Sequence, residues 1–130
     1  MTDLEALYQY RIKQAEETLE DAKNMYRNGQ TAKSVVNRAY YAVFYSLLSL
    51  FIKTKMNVKT SKHIGVIAVF DKEFVRSKKI DKKYSEIVHK LFEMRQEGDY
   101  MEFAEITRED AKSSLSNSED FLQAIKIFKV

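Results

Sequence analysis

The stretch VVNRAYYAVFYSLLSLFI, residues 35–52, governs how the rest of the chain must be arranged. At 100° per residue, Val36, Tyr40, Val43, Leu47 and Phe51 form one stripe of a helix. Tyr41, Tyr45, Leu48 and Ile52 form a second stripe on nearly the opposite side. A helix that is apolar all round is buried all round. Two arrangements satisfy this. Either the helix is central within its own fold, or a second subunit covers one stripe. Interfaces enrich tyrosine, whose ring buries area while its hydroxyl finds a partner. The expectation is therefore a two-fold homodimer with Tyr41, Tyr45, Leu48 and Ile52 at its seam. Arg38 falls beside the second stripe. It reads either as a phosphate or carboxylate clamp near that seam or as a structural arginine, paired with an acid or stacked on tyrosine.

Outward from this stretch the periodicity stays helical, with no convincing strand. There is no proline, and only three glycines occur in 130 residues, which suits long helices and short connections. A first helix is expected from Asp3 to Arg27, with Leu4, Leu7, Ile12, Ala15, Leu19, Ala22 and Tyr26 inward and Gly29 ending it. Thr31 caps the second helix, which runs to about Lys55. A short third helix spans about Ser61–Arg76, with Ile64, Ile67, Ala68, Phe70 and Phe74 inward. Asp81 caps a fourth helix reaching about Glu97, and 98–106 is read as a turn. Thr107 and Asp110 resemble a capping box opening a fifth helix to about Phe128. The expected architecture is all-α: one domain over 1–130, an up-and-down bundle of four to five helices.

The segment HKLFEMRQEGDYMEF, residues 89–103, poses a chemical question. Tyr84, Val88, Leu91 and Arg95 share one helical face. An arginine there must be paired, line a cleft, or both, because an unpaired buried charge costs about 3–5 kcal/mol. Asp99 lies four residues on. Gly98 is read as the residue that lets the chain turn, so that the carboxylate folds back on the guanidinium. That is a helix-ending ion pair. The functional alternative is a polar notch in which Arg95 also meets a phosphate, with Tyr100 alongside.

His63 opens the third helix in phase with Ile67, Phe70 and Phe74, and His89 is read as solvated. Two such distant histidines make no ligand set. No HExxH, phosphate-binding glycine loop or hydrolase elbow is present, so no metal and no cofactor is expected. Formal net charge is +3. This permits nucleic-acid contact without requiring it. The basic stretches 53–63 and 76–83 gain interest only if they meet in space. The absence of cysteine fits a reducing compartment. The N-terminus carries no leader pattern, and the apolar run 39–52 is short for a membrane span. A cytoplasmic protein without a membrane segment is expected.

Three segments together, RAYYAVFYSLLSLF (38–51), KTSKHIGVIAVFDKEFVRSKKID (59–81) and LFEMRQEGDY (91–100), resemble the HEPN domain superfamily, in particular its small stand-alone bacterial and archaeal members. Such members are often encoded beside a minimal nucleotidyltransferase. The resemblance implies a helical bundle, a homodimer and, for many members, the toxin role in a toxin–antitoxin pair. Active members are metal-independent ribonucleases that cut by attack of the 2′-hydroxyl, using an arginine, a polar neighbour and a histidine after four to six residues. Arg95 and Gln96 match the first two. Tyr100 stands where R-x4-H would place the histidine, and none follows His89. The resemblance and the residues together nominate Arg38, Tyr41, His63, Arg95, Gln96, Asp99 and Tyr100 for binding a nucleotide or RNA. Arg95, Asp99 and Tyr100 are the catalytic candidates. The alternatives are an active ribonuclease toxin with a variant site, in which Asp99 or His63 replaces the histidine, or a purely structural helical module.

Overall fold

The computed structural model describes residues 2–59 and 61–130. Met1 and Thr60, within the N-terminal and first basic stretches read above, lie outside them. Five helices follow in order: α1 (Asp3–Arg27), α2 (Ala32–Lys53), α3 (His63–Phe70), α4 (Lys82–Tyr100) and α5 (Arg108–Ile127). A π-helical turn, Asp71–Val75, extends α3. No strand occurs among the described residues, so the all-α class read from periodicity is the one observed.

Local chemistry sets the ends. Thr2 and Glu5 form a reciprocal capping box on α1, and Thr107 and Asp110 form the expected one on α5. The Thr31 hydroxyl accepts from the Ser34 amide, and Asp81 accepts from the Lys83 amide. Gly29 closes α1 with φ of +74°, a conformation a side chain would resist.

Tertiary contacts give the directions. Asn37, Tyr40 and Tyr41 of α2 meet Asp99, Phe92 and Arg95 of α4, so these helices run antiparallel. Lys23 and Glu16 of α1 pair with Glu119 and Lys126 of α5, again antiparallel. α2 packs against α1, α3, α4 and α5. Its residues Val36, Tyr40, Val43, Leu47, Leu50 and Phe51 join Phe70, Phe74, Leu91, Phe121 and Ile125 in the principal core. Each large side chain so buried contributes about 1.5–3 kcal/mol. The serines among them remain satisfied: Ser46 and Ser49 donate to carbonyls of their own helix, and Ser118 of α5 donates to the Ala39 carbonyl at 3.0 Å.

α2 is thus the central helix of its own fold. Leu48, assigned from the sequence to a subunit seam, is 7% exposed and lies in the chain's own core. Tyr41, Tyr45 and Ile52 remain half-buried. By length and composition α2 would also suffice to cross a membrane, contrary to the reading of 39–52 as too short. Most of it is instead covered by neighbouring helices.

Other expectations shift. Leu4 and Leu7 of α1 are exposed rather than inward. In α3, Ile64 and Ala68 face outward while Val66 is buried. With eight residues packed on α2 and α4, contact rather than periodicity sets which side is covered. α2 stops at Lys53, and Lys55 takes the left-handed backbone of the exit turn. The reading of 98–106 as a turn is corrected most informatively, because α4 runs through Gly98 to Tyr100. A Cβ on Gly98 would lie 3.2 Å from the Lys33 Cβ and 3.5 Å from the Ile106 Cγ1. This glycine serves close helix approach, not chain reversal.

Candidate functional site

Because α4 continues to Tyr100, Arg95 and Asp99 stand one turn apart on the same face. Arg95 Nε lies 3.0 Å from Asp99 Oδ2, and the arginine side chain is 14% exposed. The charge is met, but the Nε–H is not aligned on that oxygen and has no hydrogen-bond acceptor among the described residues. One guanidinium nitrogen, Nη2, donates to the Tyr41 hydroxyl at 3.0 Å. The guanidinium carbon sits 5.6, 5.3 and 5.8 Å from the ring centres of Tyr40, Tyr41 and Tyr100. Three rings around a delocalised cation make a favourable cage. Asn37 completes the α2 side, donating to Asp99 Oδ2 at 2.9 Å.

The start of α3 supplies another wall. His63 stacks on Phe44 with ring centres 4.0 Å apart, and its Nδ1 is 2.8 Å from the Tyr40 hydroxyl. Burial, and then the Arg95 charge, hold its pKa below the ordinary 6.5, so the imidazole is neutral at pH 7. Burial pushes the Tyr40 hydroxyl well above the usual phenol range, with Arg95 opposing and Tyr41 reinforcing, so it stays protonated. Nε2 of His63 makes no hydrogen bond among the described residues.

The fold therefore brings together Tyr41, His63, Arg95, Asp99 and Tyr100, which lie on three helices. Tyr100 forms the open edge and is 71% exposed. Gln96 is half-buried and its side chain makes no hydrogen bond among the described residues. Arg38 does not reach the notch. It lines an adjoining cleft of about 380 Å³ with Met25, Lys33, Ser34, Asn37, Gly98 and Asp99. Of the readings open for Arg38, neither an acidic partner nor an aromatic stack is present among the described residues. Asn37, Tyr40 and Phe44 were missed as site residues. Their signal was the spacing 37, 40, 41, 44, which puts all four on one face of α2.

His89 is exposed, as read, and also has a partner: its Nε2 lies 2.6 Å from Asp71 Oδ2, while Ser85 donates to Asp71 Oδ1 at 2.6 Å. This cluster joins α4 to the π turn. The basic stretches do approach each other: Thr54 and Met56 from one and Lys79 from the other line a separate cleft floored by Phe74 and Phe128. No group of three or more His, Cys, Asp or Glu positioned for a metal occurs among the described residues.

The protonation states and geometry set what the notch can do. A cation with unused donors beside tyrosine rings is chemically suited to an anion. The sequence matches the family described as HEPN domain over residues 8–128. It is 37% identical over 126 residues to a "UPF0332 protein" of Thermotoga maritima, spanning 97% of this chain and 93% of that one. It is similar also to two proteins of Methanocaldococcus jannaschii. One is named "Putative toxin MJ0142", 33% identical over 92% of this chain and 79% of that one. The other is named "Putative toxin MJ0605", 36% identical over 95% of this chain and 90% of that one.

Proposed function

The chain belongs to the HEPN domain family, and from that premise we propose that it binds RNA or a nucleotide at the Arg95–Asp99–Tyr100 notch, as one component of a cytoplasmic toxin–antitoxin pair whose other member is a minimal nucleotidyltransferase. The observation that carries the reading is the state of Arg95. Its charge is neutralised by Asp99 and caged by tyrosines, yet most of its five N–H donors have no protein acceptor among the described residues. A phosphate could take the free guanidinium donors at the Nη end without breaking the cage, while the buried Nε stays against Asp99. The names of two similar proteins support the toxin–antitoxin setting. Tyr100, exposed at the notch, is the residue a nucleotidyltransferase would modify. The notch adjoins the half-buried Tyr41 and Tyr45, where a two-fold partner would sit.

Cleavage by the family's arginine–histidine arrangement lacks its histidine in this chain. A phenol is a poor general base at neutral pH. A second reading, a ribonuclease with a variant site, is favoured by one observation. His63 is neutral, hydrogen-bonded to Tyr40, and close enough to Arg95 to feel its charge. With Nδ1–H donating to the Tyr40 oxygen, Nε2 would carry the lone pair that takes the 2′-hydroxyl proton.

The test is incubation of purified protein with single-stranded RNA in EDTA, beside Arg95→Ala and His63→Ala variants that melt cooperatively. Binding without cleavage, lost with Arg95, is the expected result. Metal-independent cleavage abolished by both substitutions would establish the ribonuclease instead. Neither binding nor cleavage would leave a structural module.

A further inference from the structure

The notch ends at the Asn37–Asp99 hydrogen bond, and on its other side lies the cleft holding Arg38. Two cations, Lys33 and Arg38, line that cleft with Ser34, whose hydroxyl also lies 2.7 Å from the Thr31 hydroxyl. Neither cation pairs with a carboxylate among the described residues. The acid on the wall, Asp99, is already engaged by Arg95 and Asn37. Gly98, which lines the cleft, has no Cβ to hold α4 away from Lys33 at the first turn of α2. The cleft and the notch therefore share one wall, and each presents unused cationic donors.

We propose that Lys33, Ser34 and Arg38 form a second phosphate subsite, and that the ligand is consequently an RNA strand rather than a mononucleotide. The strand places one phosphate at Arg95, crosses the Asn37–Asp99 bond, and places the neighbouring phosphate in the Arg38 cleft. Arg38 supplies the planar fork that matches phosphate oxygens, and Lys33 adds a flexible point charge at the mouth. This rests on the notch reading and adds the direction in which the strand leaves it.

The experiment measures binding of a fluorescein-labelled twelve-nucleotide oligouridylate, and of uridine monophosphate, to the full chain in EDTA. Arg38→Ala should weaken the oligomer about tenfold, the equivalent of one charge-assisted hydrogen bond, with Arg38→Lys restoring part of it. Lys33→Glu, at an exposed position where folding is safe, should weaken it at least as much. Lys33→Ala and Arg38→Ala should each lower the salt dependence by about 0.7 in the log–log slope. Uridine monophosphate, which fills only the notch, should bind all these variants like the parent. Unchanged oligomer affinity and slope at Lys33 and Arg38, with Arg95→Ala still disruptive, overturns the subsite and spares the notch. The reverse pattern keeps the cleft as an RNA contact and discards the notch. An oligomer that the parent chain does not bind overturns both.

Discussion

Arg95 stands on an apolar helical face because four neighbours make the position habitable: Asp99 one turn along, and the rings of Tyr40, Tyr41 and Tyr100. Removing the guanidinium leaves Asp99 with only Asn37. The pair is partly exposed, so its loss falls between a surface and a buried ion pair. Arg95→Ala is expected to cost about 1–3 kcal/mol in urea unfolding, and Arg95→Lys to recover part of it. A variant as stable as the parent would mean that the cage contributes nothing to folding. His63 supplies a pH signature. Its folded pKa lies below 6.5, so on acidification the unfolded chain takes the proton first. The stability contributed by the neutral imidazole is complete above about 6.5 and is lost as pH falls through the folded value. The melting temperature of the parent should therefore drop more between pH 7 and pH 5 than that of His63→Gln. Parallel pH profiles would show that burial and Arg95 do not act on this ring. The sequence showed that Arg95 needed a partner and offered Asp99, four residues on. It did not show that Tyr40 and His63 share a bond, because they stand 23 positions apart and are brought together only by the fold.

Among the elements, α4 departs most from expectation. A glycine followed by an aspartate reads as a stop signal, and the helix passes through it. Local propensity favours ending; packing against α2 favours continuing, and packing prevails over a penalty of about 1 kcal/mol. Gly98→Ala sets these terms against each other. The alanine gains roughly that propensity, while its Cβ meets the Lys33 Cβ at 3.2 Å and pushes α4 from α2. Unfolding stability should change by less than about 1 kcal/mol, whereas RNA affinity should fall, since the displaced turn carries Asp99. A stable variant with full affinity would show that the close approach is not what shapes the site. α2, by contrast, was legible from its own residues. Two apolar stripes demanded cover on both sides; the first is buried throughout, whereas of the second Leu48 is buried and Tyr41, Tyr45 and Ile52 are half-covered. What the stripes could not specify was the source of the cover, since a side chain buries the same area against its own chain or another.

At the scale of the molecule, α2 runs through a bundle whose other helices bury most of it, leaving among its apolar positions Tyr41, Tyr45 and Ile52 as a half-buried row. The proposed two-fold seam now rests on that row and no longer on Leu48. Sedimentation equilibrium should find the parent dimeric and Tyr45→Glu monomeric, with helical content retained. A parent that sediments as a monomer, or a Tyr45→Glu variant that stays dimeric, removes the seam and with it any site shared between copies. The residue pattern alone determined the helical class, the capped ends at Thr31, Asp81 and Thr107, the need for α2 to be covered on both stripes and the need for an anion beside Arg95. Each follows from periodicity or from interactions spanning at most one helical turn, which a linear sequence displays. Only the tertiary structure decided that Asn37, Tyr40, His63 and Asp99 meet, that Gly98 is a contact point, and that Arg38 faces a different cleft from Arg95. Those outcomes depend on how far helices approach and rotate about one another. These quantities are set by the sum of many distant side-chain contacts and leave no local trace in the order of residues.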